Sequence, residues 1–243
     1  MDKLTTEQRH ANMAAIQSKE KMICDNVQET INKLQNEAKQ FLTHSKLVAN
    51  GIDILPTEIE VYYYEVEGAF KDTSVHRNEL QRNNRLHFYI HRWGSAIIDK
   101  YKGGNRAGLD FVVSGSEKFY YSYLLRSALI NGTMFIGPNN VLKSILEATH
   151  CSYEDLESKL VEMKPNENTY DVLFSKRINL STNAGEYLNC PLRAVLCDEF
   201  FVKHKYPLKE CLILNFLRDK DKDWALAYAK KNLGYIPSTL RDS

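Results

Sequence analysis

The sequence predicts an α+β fold: a single domain on a curved, largely antiparallel mixed sheet with a barrel-like core, and helices added at both termini. Three observations carry that expectation. Strand-like runs follow one another directly, as IEVYYY, LHFYIHRW, LDFVVS and FYYSYLLRSALI. Helical spacing is strongest toward the two ends of the chain. Several consecutive strands with segregated helices favour α+β over a doubly wound α/β arrangement.

The elements follow in order. Over residues 5–43, Ile23, Val27, Ile31, Leu34, Ala38 and Phe41 recur at spacings of three and four and mark one apolar helical stripe. Thr6 and Glu7 offer its start, and Asn50-Gly51 a stop. The four strand-like runs are divided by turn-rich GAFKD, KGGNRAG and SGSEK. Gly137-Pro138 opens a helix reaching Ala148, and a second spans Tyr153–Met163. Short strands are expected at Tyr170–Phe174 and Leu192–Cys197, then a helical tail over Leu208–Leu233 anchored by Leu212, Phe216, Trp224 and Tyr228. This divides the chain into an N-terminal helical extension (1–44), an α+β body (45–205) and a C-terminal helical extension (206–243) packed on the body.

Composition excludes several classes. No apolar run approaches the roughly 20 residues that a membrane span needs, and the polar opening MDKLTTEQRH lacks the apolar core of an export signal. Five widely spaced cysteines without a CxxC pair point to free thiols in a reducing compartment, cytoplasmic or nucleoid/nuclear. No Walker loop, dinucleotide glycine fingerprint or nucleophile elbow is present, so no cofactor is expected. His87 and His91 are not expected to share a metal, because four residues along a strand separate them by about 13 Å.

A net charge of +1 gives no global signature of nucleic-acid binding. The local picture differs. Between His76 and Arg106 seven Lys or Arg residues face two acids, with Phe88, Tyr89, Trp93 and Tyr101 interleaved. Cations for phosphates beside rings for bases form a nucleic-acid footprint, although a solvated basic loop has the same composition.

Alternation on the first strand puts Ile59, Val61 and Tyr63 on one face, and Glu58, Glu60, Tyr62 and Tyr64 on the other. A carboxylate beside aromatic rings is partly desolvated and suited to general-base work. Arg126 is a charge inside the apolar run YYSYLLRSALI and needs a carboxylate partner, for which Glu60 is the candidate. Asp110 similarly enters the apolar run LDFVV.

The order of these features resembles the alkyladenine (3-methyladenine) DNA glycosylase family. The Glu-x-Glu-Ala-Tyr strand of that family is similar to Glu58-Ile59-Glu60-Val61-Tyr62, followed by Asp72 and His76. LHFYIHRWG, GLDFVV, LLRS, Gly137-Pro138 and RINLSTNAGEYLNCPLR match later family motifs in sequence order, over roughly Ser45–Val202. The resemblance implies a metal-free, monomeric enzyme that flips a damaged base from double-stranded DNA and hydrolyses its N-glycosidic bond. By position, Glu60 would activate water, and Arg126 and a backbone carbonyl near Leu180 would hold it. Tyr62, His76 and Tyr89 would sandwich the base, and Asp110 stands where the family has a base-reading Asn. Arg85, Arg92 and Trp93 would meet DNA, with Arg92 or Trp93 near the wedge. An acceptor-only carboxylate at Asp110 implies a cationic or amino-rich base edge. Glu65 and Glu67 offer a rival register for the catalytic carboxylate, but Glu60 sits in the unbroken strand pattern and is preferred.

Overall fold

A computed structural model describes residues 26–93, 100–167, 170–197, 221–236 and 238. The apolar stripe of the N-terminal segment forms helix α1 over 26–44. Strand β1 (Ser45–Ala49) follows at once and turns through Asn50-Gly51 into the long β2 (Ile52–Glu65). Both turn residues have positive φ, 50° and 81°, as a tight hairpin requires, so Asn50-Gly51 is a strand turn and not the helix stop expected from sequence. Next come a short helix α2 (Glu79–Asn83), β3 (Phe88–Ile90) and β4 (Leu109–Val112). The long β5 (Phe119–Ile130) turns through Asn131-Gly132 into β6 (Thr133–Ile136). Helices α3 (Pro138–Thr149) and α4 (Tyr153–Ser158) precede β7 (Glu162–Pro165), β8 (Val172–Ser175), a 3-10 segment Thr182–Asn189 and β9 (Arg193–Leu196). Helix α5 spans Lys222–Leu233. The earlier part of the expected tail helix, with Leu212 and Phe216, and residues 5–25 lie outside the described residues.

Among the described residues nine strands join in one curved, antiparallel half-barrel with the path β3-β4-β5-β2-β1-β7; β6 pairs with β5, and β8 joins through β9 to β2. The chain is an α+β domain, as the sequence predicts. Helix α1 covers one face. Its Leu34, Ala38 and Phe41 enter the main core, where the Phe41 ring lies 5.6 Å from Phe111 and 4.6 Å from Tyr123. The stripe thus docks on the body of its own chain. Burying a side chain of that size stabilises by about 1.5–3 kcal/mol, which explains why α1 holds to the sheet. Tyr228 of α5 also packs against the main core.

The β2–β5 ladder carries two irregularities. Pro56 pairs with Ala128, Glu58 with Ser127 and Ile59 with Leu125, so Thr57 on β2 and Arg126 on β5 have no cross-strand partner. A bulge of this kind bends the strand and re-aims a side chain. Beyond it the register is regular, and one row runs across the sheet: Tyr89, Asp110, Leu124, Glu60 and Arg193.

Candidate active site

The face of β2 opposite α1 opens into a cavity of about 700 Å³. Glu60, Tyr62, His76, Asp110, Arg126, Leu180 and Trp93 all line it, so most of the residues chosen from sequence converge on one concavity.

Glu60 is fully buried. Its Oε1 accepts a hydrogen bond from the Ile178 backbone N–H at 2.9 Å and pairs with an Arg126 terminal nitrogen at 3.2 Å. Its Oε2 accepts from the Tyr62 hydroxyl at 3.1 Å. Burial and then the Glu60 charge push the Tyr62 phenol well up, so it stays protonated and donates. Asn179 takes a left-handed turn (φ 59°) just after Ile178, and the cavity-lining stretch runs on through Leu180.

Arg126 also reaches Glu58, its Nε donating to Oε1 at 3.0 Å, and Arg193 Nε donates to the same oxygen at 2.7 Å. Two carboxylates and two guanidinium groups therefore balance inside the protein, as buried charges must. Burial works against the Arg126 cation, but Glu60 and then Glu58 outweigh it and raise its pKa. Sequence reasoning found the Glu60 contact and missed Glu58 and Arg193.

Beneath Tyr62 lies Arg177, its guanidinium 4.9 Å from the ring centre. Arg177 donates to Asp72 at 2.6 Å, and Asp72 accepts from the Ser74 backbone N–H and hydroxyl at 3.0 and 2.6 Å. Asp72 thereby fixes the loop that delivers His76. Burial, then His91 and Lys102, lower the His76 imidazole to about 3, so it is neutral at ordinary pH. Lys102 Nζ donates to His76 Nε2 at 3.1 Å, which leaves the proton on Nδ1, 3.1 Å from the Tyr89 hydroxyl. Tyr89 is wholly buried and stands behind His76, not among the cavity-lining residues.

Asp110 is also wholly buried and does not present a free carboxylate. Oδ1 meets His91 Nε2 at 2.7 Å, and Oδ2 accepts from Ser122 Oγ at 2.6 Å and Gln81 Nε2 at 3.1 Å. Burial opposes the charge, but His91 and then Ser122 outweigh it and hold the carboxyl below its ordinary value. The cavity receives His91 instead, a residue that sequence reasoning weighed only as a metal ligand. Among the described residues no group of three or more His, Cys, Asp or Glu side chains is arranged to hold a metal ion, and no helix is long and apolar enough to cross a membrane.

The rim is aromatic and basic. Trp93 is 50% exposed. Arg106 and Lys102 stand over its ring at 5.1 and 5.6 Å. The other two residues assigned to DNA lie elsewhere. Arg92 is buried in a bidentate pair with Glu157 of α4, at 2.9 and 2.6 Å, with Tyr101 bonded to the same carboxylate at 2.8 Å. It pins the β3–β4 connection to α4 and is not on the rim. Arg85 lines the grooves beside α1 on the opposite side of the sheet, with Glu37 and Val113. The rival carboxylates lie outside the cavity too. Glu65 folds back to accept from the Phe70 N–H at 3.0 Å and from Tyr63 at 3.2 Å, closing the turn, and Glu67 is exposed.

No family model and no curated protein matches this chain.

Proposed function

We propose that the chain is a DNA N-glycosylase that flips a modified purine into the cavity and hydrolyses its glycosidic bond with water activated by Glu60. The observation that carries this reading is Glu60 itself, fixed by three donors inside a cavity whose rim is Trp93, Lys102 and Arg106. A carboxylate offers about four acceptor sites. Ile178, Arg126 and Tyr62 use three, which leaves one for a water molecule in a fixed position. Loss of the water proton to Glu60 and attack on the sugar carbon would release the base, a contribution of roughly 10²–10⁴ in rate for a positioned general base.

The remaining groups fit the same task. Rim cations can meet phosphates, and Trp93 is a surface ring able to fill the gap left by the flipped nucleotide. A cavity of about 700 Å³ is of the size that holds a small organic ligand. The test is a base-release assay on alkylated duplex DNA with mass spectrometry of the freed bases. Release of a modified purine is expected. Salt-sensitive duplex binding with no base freed from any modified substrate would replace the enzyme with a glycosylase-like binding module.

A further inference from the structure

We propose, building on the glycosylase reading, that Lys102 is a second nucleophile whose amine forms an imine with the aldehyde of the abasic sugar left after base release, and that the chain is therefore also an abasic-site lyase. Lys102 is the only lysine among the described residues that line the cavity. Its backbone N–H donates to the His91 carbonyl at 2.8 Å, and Tyr101 beside it bridges to Arg92, so the root of the side chain is pinned to the chain leaving β3. From there Nζ reaches His76 Nε2 at 3.1 Å and lies 5.6 Å from the Trp93 ring centre. The Tyr89 contact keeps the His76 proton on Nδ1, so Nε2 is an acceptor that aims the Lys102 nitrogen. The Arg106 guanidinium stands over the same Trp93 ring at 5.1 Å. Half-burial and a neighbouring cation both favour the free amine, which is the nucleophilic form. Burial and then Arg106 lower the Lys102 pKa, with Asp110 opposing them. Arg106 stays charged and available to a phosphate.

The amine stands on the base side of the cavity, away from Glu60. Glu60 and Asp110 flank Leu124 in one row of the sheet, two strand spacings or about 10 Å apart. Lys102 lies beyond Asp110, through the contact of Asp110 with His91 and that of the His91 ring with His76. A purine held between them keeps the sugar from the amine, so hydrolysis at Glu60 comes first. It leaves a sugar that opens to a C1′ aldehyde, and the departed base leaves the space toward Nζ free. The amine attacks C1′, the carbonyl electron pair goes to oxygen, and one Nζ proton moves to that oxygen through solvent. The hydroxyl takes a second proton from solvent and leaves as water, giving the protonated imine. That imine draws electrons from C2′, whose proton passes to water. The C3′–O bond then breaks with its electron pair on the departing phosphate, which nicks the strand. Hydrolysis of the imine frees Lys102.

The experiment is borohydride trapping on a duplex carrying one preformed abasic site, with the unaltered chain, Lys102→Arg and Lys102→Gln. Borohydride reduces the imine to a stable amine, and mass spectrometry of the digested adduct maps the attachment. The unaltered chain should give an adduct on Lys102, and a nicked strand when borohydride is left out. Both variants should lose the adduct by roughly 100-fold; Lys102→Arg keeps the charge but has no amine to form an imine. No adduct, or one mapped in the unaltered chain to another lysine or the N-terminal amine, overturns the role of Lys102. An adduct on Lys102 without nicking overturns the lyase. Because the abasic site is supplied ready-made, none of these results touches base release, which is followed separately on a duplex carrying a modified purine. Trapping and nicking through Lys102 with no purine released would uphold the lyase and overturn the glycosylase reading.

Discussion

Replacing Glu60 by Gln separates chemistry from architecture better than any other single change. The amide oxygen can still accept from the Ile178 N–H and from Arg126, and the Tyr62 hydroxyl can turn to accept from the new NH₂ group. What disappears is the charge. The buried set of Glu58, Glu60, Arg126 and Arg193 falls from two against two to one against two. Arg126 keeps its 3.0 Å contact with Glu58, so the guanidinium is not orphaned. The stability cost is then that of weakened charge-assisted hydrogen bonds, about 2 kcal/mol, or roughly 5 °C in Tm for a domain of this size. The chemical cost is larger, because Gln cannot take a proton from water. A loss of roughly 10²–10⁴ in rate, about 3–5 kcal/mol of barrier, is expected. Single-turnover release from alkylated duplex should fall by that factor while duplex affinity stays within about threefold. A variant that folds and releases base at near the original rate would refute the assignment of Glu60 as the base.

Two further outcomes follow from the same geometry. His76 is held neutral, its pKa lowered to about 3, so the unfolded chain binds a proton that the folded chain refuses between that value and about 6.5. The folded state therefore loses stability as pH falls below about 6.5, by up to ~2 kcal/mol at pH 5, and urea melts should show that slope in the parent and a flatter one in His76→Gln. Arg92 and Arg106 should separate cleanly: Arg92→Ala strips a buried partner from Glu157 and should cost about 3–5 kcal/mol with no change in the salt dependence of DNA binding. Arg106→Ala should leave stability within about 0.5 kcal/mol and lower the salt slope by about one.

The parts of the fold legible in sequence are those where one physical signal dominates. The stripe through Ile31, Leu34, Ala38 and Phe41 has no reading other than a helix, and all four residues are in the core. Strands β2 and β5 are long enough for their composition to declare them. Strands β1, β6 and β7 are only four or five residues long. KLVA before Asn50-Gly51 continues a helical-looking stretch, and EMKP in β7 is wholly exposed, so neither carries a strand signal. The same limit applies to the site. Glu60 and Tyr62 lie on the long β2, where alternation alone puts them on one face, and Arg126 reaches them from the irregularity in β5. His91 lies just beyond the shortest strand, β3, and its meeting with Asp110 depends on how a long connection closes, which spacing in sequence does not encode.

Arg92 shows why charge type alone misleads. A cation beside Trp93 in a basic, aromatic segment reads as a DNA contact, yet its neighbour in space is Glu157, 65 residues away on α4. The same exchange happens at Asp110, where an acid expected to meet the base is spent on a histidine. In both cases the polar atom chosen from sequence is consumed by a partner distant in the chain, and the group left facing the cavity is the one next to it: Trp93 for Arg92, His91 for Asp110. Burial explains the pattern. A charge wholly enclosed by protein must be matched by protein, and a matched charge has little capacity left for a ligand. The residues that can act on a substrate are those whose partners hold them in place without using every lone pair. Glu60 meets that condition, with three of its about four acceptor sites taken by Ile178, Arg126 and Tyr62.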